Sequence, residues 1–201
     1  MNPPQTFQKI IEAPMIPYLF GFIGWYTMWR LQLQLSFLDY AMGVSIVFLP
    51  AGIRTLAVLV FGIRGAVGVF VGSLLSTVEY MGHVATLDFF NVALISAVSA
   101  FSSYLMMRLV CWRRHIGSDL NELTFRDLLV IVFTQGLLSA TLHQIIYSTH
   151  AIETAYVDPT FAELCRLWSA MAAGDIVGSM ILMLSAVALA GAFQSLRRGV
   201  L

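Results

Sequence analysis

Arg54 and Asp175 are the charged side chains set deepest in apolar sequence in this 201-residue chain, the first inside 44–61 and the second inside 167–190. A charge at such depth is costly in hydrocarbon and marks a partner, a ligand or a conduction path. Two chemistries follow. Arg54 binds an anionic group, or the pair opens when a ligand arrives; alternatively the two residues form a clasp between helices, which fixes a unique packing more reliably than it adds stability. Pro50 and Gly52, in the run Pro50-Ala51-Gly52 ahead of Arg54, belong to the same candidate site. A proline in mid-helix frees a carbonyl and crowds the preceding turn, and broken helices line binding sites in membrane proteins. Kinked prolines also occur in spans that bind nothing.

A second group of polar residues falls at one rim: Glu79 and His83 close the third apolar run, and His143 lies near the end of the fifth. Imidazole and carboxylate together could hold a transition metal or respond to pH. Gln135, Ser139 and His143 form a polar stripe at four-residue spacing, which is explained more simply by neighbouring helices. Neither H-x-x-x-H nor H-E-x-x-H occurs, and the two cysteines, Cys111 and Cys165, have no zinc-type spacing. No metal is assigned and no cofactor is specified. No G-x-S-x-G elbow, P-loop or paired-carboxylate motif is present either, so the chain reads as non-enzymatic.

The elements that carry these residues are membrane helices. The chain is 59% hydrophobic and 11% charged, against roughly 25% charged in soluble globular proteins. Charge this sparse cannot cover a water-facing surface. Net charge is zero and no basic arm appears, so nucleic acid is excluded as a partner while membrane lipids are expected. Apolar runs fall at about 15–28, 44–61, 66–81, 89–110, 128–147 and 167–190, the third beginning as early as Ile63. The expected fold is therefore all-α, a single polytopic bundle over 1–201 with about six transmembrane helices, the second kinked at Pro50.

Two helix starts are marked in the sequence. Thr124-Phe125-Arg126-Asp127 and Thr160-Phe161-Ala162-Glu163 each place a hydroxyl three residues before an acid, the pattern of a capping box. Small residues at four-residue spacing, Gly68 with Gly72 and Ala170 with Gly174 and Gly178, allow helices to approach closely. Arginine and lysine stay cytoplasmic in short loops. Lys9, Arg64, Arg108, Arg113, Arg114, Arg126, Arg197 and Arg198 then place both termini inside, with Arg30 as the exception, near Asp39 at the outer end of the first span. Arg54 then lies about 15 Å and Asp175 about 12 Å from the outer face at the helical rise, so the two can meet.

The residues Phe48-Leu49-Pro50-Ala51-Gly52-Ile53, Gly62-Ile63-Arg64, Gly72-Ser73-Leu74-Leu75 and Gly174-Asp175-Ile176-Val177-Gly178 together resemble the bacterial membrane-associated sensor domains of the MASE type. The resemblance covers about two-thirds of the chain. It implies an inner-membrane sensory module, normally joined to a histidine kinase or a cyclic-dinucleotide enzyme. This chain departs from the pattern in having six spans where about eight are usual, no output domain, and no proline after the late glycine. It also has Arg54 at a position that is usually apolar. The expected function is a sensor-like inner-membrane module acting in signal transduction through another membrane protein. A substrate-binding subunit of a transporter and a structural accessory subunit of a larger complex are the alternatives.

Overall fold

In this computed structural model the described residues are 13–41, 44–81, 89–117, 120, 122–149 and 160–199. Six α-helices carry them: α1 Ile16–Gln34, α2 Leu49–Phe61, α3 Ile63–Met81, α4 Phe89–Arg114, α5 Phe125–Thr149 and α6 Phe161–Gly199. Between α1 and α2 lie a 3-10 turn and a short antiparallel hairpin, β1 Asp39–Ala41 and β2 Val44–Ser45, with Asp39 opposite Ser45. Three of the helices, α4, α5 and α6, are long and apolar enough to cross a membrane.

The second apolar run departs from the expected kinked span. Residues 44–48 are non-helical, and α2 begins at Leu49 with Pro50 in its first turn. A proline there forfeits no helical hydrogen bond, because the first N–H groups of a helix have no partner within it, and its fixed φ suits the start of a helix. Pro50 therefore starts a helix rather than bending one. The 13 residues of α2 span only about 20 Å, short of the roughly 30 Å of a hydrocarbon core.

The non-helical approach to α2 needs its backbone satisfied from elsewhere, and neighbouring elements do this. The Phe48 N–H donates to the Gly174 carbonyl at 3.0 Å and the Ile46 N–H to the Leu38 carbonyl at 2.9 Å. The Leu49 N–H donates to Gln32 Oε1 at 3.1 Å, so a side chain from α1 caps α2 in place of a local cap. Irregular backbone is tolerated at membrane depth only under such protein cover.

Glycines allow this cover to form. A Cβ on Gly174 would fall on the Ser45 carbonyl and one on Gly178 on the Phe48 carbonyl. The 45–48 segment thus lies directly on the backbone of α6. Gly52 faces the same helix, where a Cβ would come 2.5 Å from Leu182 Cβ and 2.8 Å from the Gly178 carbonyl. A matching contact joins α1 to α3, through Gly21 against Gly65 and Gly68 against Tyr18. The α2 helix contacts α1, α3, α4 and α6, so it occupies the middle of the bundle.

The start of α5 has the expected cap. Asp127 N–H donates to Thr124 Oγ1 at 3.2 Å, while the Thr124 N–H and Oγ1–H donate to Asp127 Oδ2 at 3.1 and 2.6 Å. Arg114 Nε, 3.1 Å from Asp127 Oδ1, ties the end of α4 to the same carboxylate. At α6 only the forward half forms, Glu163 N–H to Thr160 Oγ1 at 3.3 Å. Thr124→Ala should cost about 1 kcal/mol, the usual value of an N-cap. A thermal melt in detergent reads this loss, and Thr160→Ala, with its weaker cap, should lower the melting temperature less.

Candidate functional site

The register of 45–48 on α6 brings the two buried charges together. Arg54 stands in the second turn of α2 and Asp175 follows the contact glycine Gly174; Arg54 Nη2 lies 2.9 Å from Asp175 Oδ2. Both are buried, at 1% and 3% exposure. The guanidinium also donates from Nη1 to the Ser99 carbonyl on α4 at 3.1 Å and to Ser139 Oγ on α5 at 3.2 Å. Four helices thus meet on one side chain. Charge-assisted bonds of this kind are what a buried ion pair needs to offset desolvation. Arg54 Nε still finds no acceptor among the described residues.

Of the expected rim group, Glu79 is held elsewhere and His143 belongs to this buried centre. Its ring is 5% exposed. The contact of Nδ1 with the Ser139 carbonyl at 2.8 Å sets the neutral tautomer, because a carbonyl accepts only; Nδ1 carries the proton and Nε2 accepts from Ser99 Oγ at 3.2 Å. Glu79 has different partners, Tyr26 Oη at 3.1 Å and the Arg30 Nη1 at 3.8 Å, both from α1. The stripe of Gln135, Ser139 and His143 faces neighbouring helices, with Ser99 of α4 and Thr55 of α2 among its partners. His83 lies outside the described residues, as do Asp88, His150, Glu153 and Asp158 of the connecting loops. Among the described residues no three of His, Cys, Asp and Glu gather as a metal would require.

A second polar knot lies beside the first. Gln135 Nε2 donates to Thr55 Oγ1 at 2.5 Å and to Ser179 Oγ at 3.1 Å, and Thr55 Oγ1–H donates to the Ala51 carbonyl at 2.9 Å. Thr55 is the neighbour of Arg54 and Ser179 is one turn beyond Asp175. The knot therefore locks the same register of α2 on α6 that forms the ion pair.

Arg54, Asp175, Ser99, Ser139 and His143 form the inner end of a chamber of about 80 Å³. Roughly 10–15 Å³ admits one water, so the chamber has room for about five waters or a solute of a few heavy atoms. Its walls are aromatic, with Trp29 set edge-on to both Phe48 and Tyr80 at 6.2 and 5.6 Å. Exposed Leu33 and Asp39 stand at the other end, beside the hairpin. Gln32, having spent its oxygen on α2, leaves Nε2 without an acceptor on the same wall.

Several of these residues carry no signal that the sequence analysis singled out: Trp25, Gln32, Thr55, Ser76, Ser99 and Ser179. A signal for one of them existed. Ser96, Ser99 and Ser103 recur at three- and four-residue spacing in the fourth run, and all three are buried. Pro50 and Gly52 are not chamber-lining residues; they act by starting α2 and letting it approach α6.

No protein-family profile, no curated protein and no solved structure matches the chain.

Proposed function

We propose that the chain is a non-enzymatic, sensor-like module of the bacterial inner membrane that captures a small polar solute in the chamber and acts through a partner membrane protein. One observation carries the reading: a fully buried guanidinium faces a chamber and retains an unused donor, with the Gln32 amide as a second one on the same wall. Two donors without acceptors favour a solute that brings acceptor oxygens, such as a small carboxylate. A buried polar group left unpaired is costly, so such a solute gains from both. Arg54 can then exchange Asp175 for the solute, and the α2–α6 contact is the element that responds.

The non-catalytic part of this reading rests on backbone geometry. Ser99 and His143 are within reach of each other, as a nucleophile and its base would be. Both lie in mid-helix, where neighbouring N–H groups are used by the helix and are not free to form a backbone oxyanion hole. Turnover of a substrate, or transport by the chain alone in liposomes at a rate abolished by Asp175→Asn, would replace this reading by an enzyme or transporter.

The proposed arrangement crosses the membrane six times with both termini cytoplasmic, residues 44–61 crossing as an extended entry and a short helix. The arginine distribution supports this orientation. With Cys111 and Cys165 replaced, a cysteine at Thr77, a half-buried chamber residue, should react with an impermeant thiol reagent applied from outside. Cysteines at Ala85 and Ala155 should react as well, and one at Gly117 should not. Labelling at Gly117 overturns the orientation. A protected Thr77→Cys beside reactive Ala85→Cys means a sealed chamber, and Arg54–Asp175 is then a clasp only. Mass spectrometry of the gently solubilised native complex tests the partner, since a chain that is always alone contradicts it.

A further inference from the structure

We infer that the arginine-bearing end of the bundle holds a docking site for the headgroup of an anionic phospholipid. At that end the chain reverses between α2 and α3 at Gly62, whose φ of +59° suits a residue without a side chain. The reversal puts Arg64 in the first turn of α3, on the rim of an opening of about 570 Å³. Arg108, from the last turns of α4, lines the same opening. Both arginines are exposed, and neither has a carboxylate within ion-pairing distance among the described residues. Arg114 differs, because Asp127 neutralises it.

The remaining lining is mostly apolar. Val60 and Ile63 are 57% and 45% exposed, and Tyr104 and Met107 continue the wall along α4. Trp112, 70% exposed one turn past Arg108, has the character of an interfacial anchor. Two planar guanidinium groups above an apolar wall match a phosphodiester carried on acyl chains: the forks take phosphate oxygens and the wall takes the first methylenes. Basic pockets between membrane helices on the cytoplasmic side bind such headgroups. The lipid, rather than free phosphate, is the occupant favoured, because a free anion has no use for the apolar wall. The inference depends on membrane embedding, and not on a ligand at Arg54 or on a partner protein.

The test uses the full chain in nanodiscs of phosphatidylcholine, with and without added phosphatidylglycerol. The anionic lipid should raise the melting temperature of the wild type but not of Arg64→Gln/Arg108→Gln. In phosphatidylcholine alone the two proteins should melt together. Native mass spectrometry should show phosphatidylglycerol retained by the wild type, with affinity on the order of tenfold or more lower in the double variant. Arg113→Gln/Arg126→Gln removes as much charge from the same end and should keep the lipid response. Equal loss in that control means diffuse attraction to the surface and overturns the site. Stabilisation by inorganic phosphate at matched ionic strength, equal to that by lipid, overturns the lipid assignment. Should the Arg64/Arg108 variant melt early even in phosphatidylcholine, lipid retention decides: undiminished phosphatidylglycerol on that variant refutes the proposal.

Discussion

Arg54→Leu and Asp175→Leu should each lower the thermal stability of the detergent-solubilised chain by about 3–5 kcal/mol, and the double variant should lose less than either. The asymmetry has a plain cause. Without Asp175, a guanidinium at 1% exposure keeps two neutral acceptors, the Ser99 carbonyl and Ser139 Oγ, and no counter-charge. Without Arg54, the carboxylate of Asp175 loses its 2.9 Å partner inside the same bundle. Removing both charges exchanges a desolvated pair for apolar volume, which is often close to neutral. Melting curves of the four proteins form a double-mutant cycle, and an additive double loss would show that the pair is not energetically coupled.

Gly178→Ala should destabilise by about 1–3 kcal/mol although it adds a single methyl group. The new carbon falls on the Phe48 carbonyl. Backbone cannot turn aside as a side chain can, so the 45–48 segment must lift from α6. The lift draws α2 away, and with it Arg54 from Asp175, so the coupling measured in the double-mutant cycle should shrink in a Gly178→Ala background. Gly191→Ala, in the same helix, is the control: nothing lies within 4 Å of a Cβ there, and alanine favours helix over glycine. Its melting temperature should hold or rise. A Gly178→Ala protein as stable as the wild type would mean that α2 and α6 pack less closely than described.

The glycines around Asp175 have a direct physical use in this chain. Gly174 and Gly178 flank Asp175 because both must accept backbone contact from 45–48. The reading of Pro50 shows the opposite case. A proline within an apolar run of spanning length reads as a kink when the run is taken as one helix; the run is a short non-helical segment and then a helix, and the proline marks the junction. Hydrophobicity reports burial and not backbone conformation, so it could not separate the two. The spacing of His143 four residues after Ser139 is legible along α5, whereas its partner Ser99 lies on α4 and depends on how the two helices pack.

What the sequence by itself determined is local or compositional: the helical class, the capping pair Thr124 and Asp127, the small-residue stripes, and Arg54 and Asp175 as charges too deep to stand alone. These depend on nearest neighbours along the chain and on the cost of exposing polar groups to hydrocarbon. The tertiary structure alone decided which four helices share the guanidinium, that Gln32 on α1 caps α2, that the Gln135 knot locks α2 on α6, and that a chamber opens beside the pair. Those facts depend on rotation and register between helices far apart in sequence. An apolar helix with serines and glycines on more than one face leaves that register open until its neighbours are packed against it.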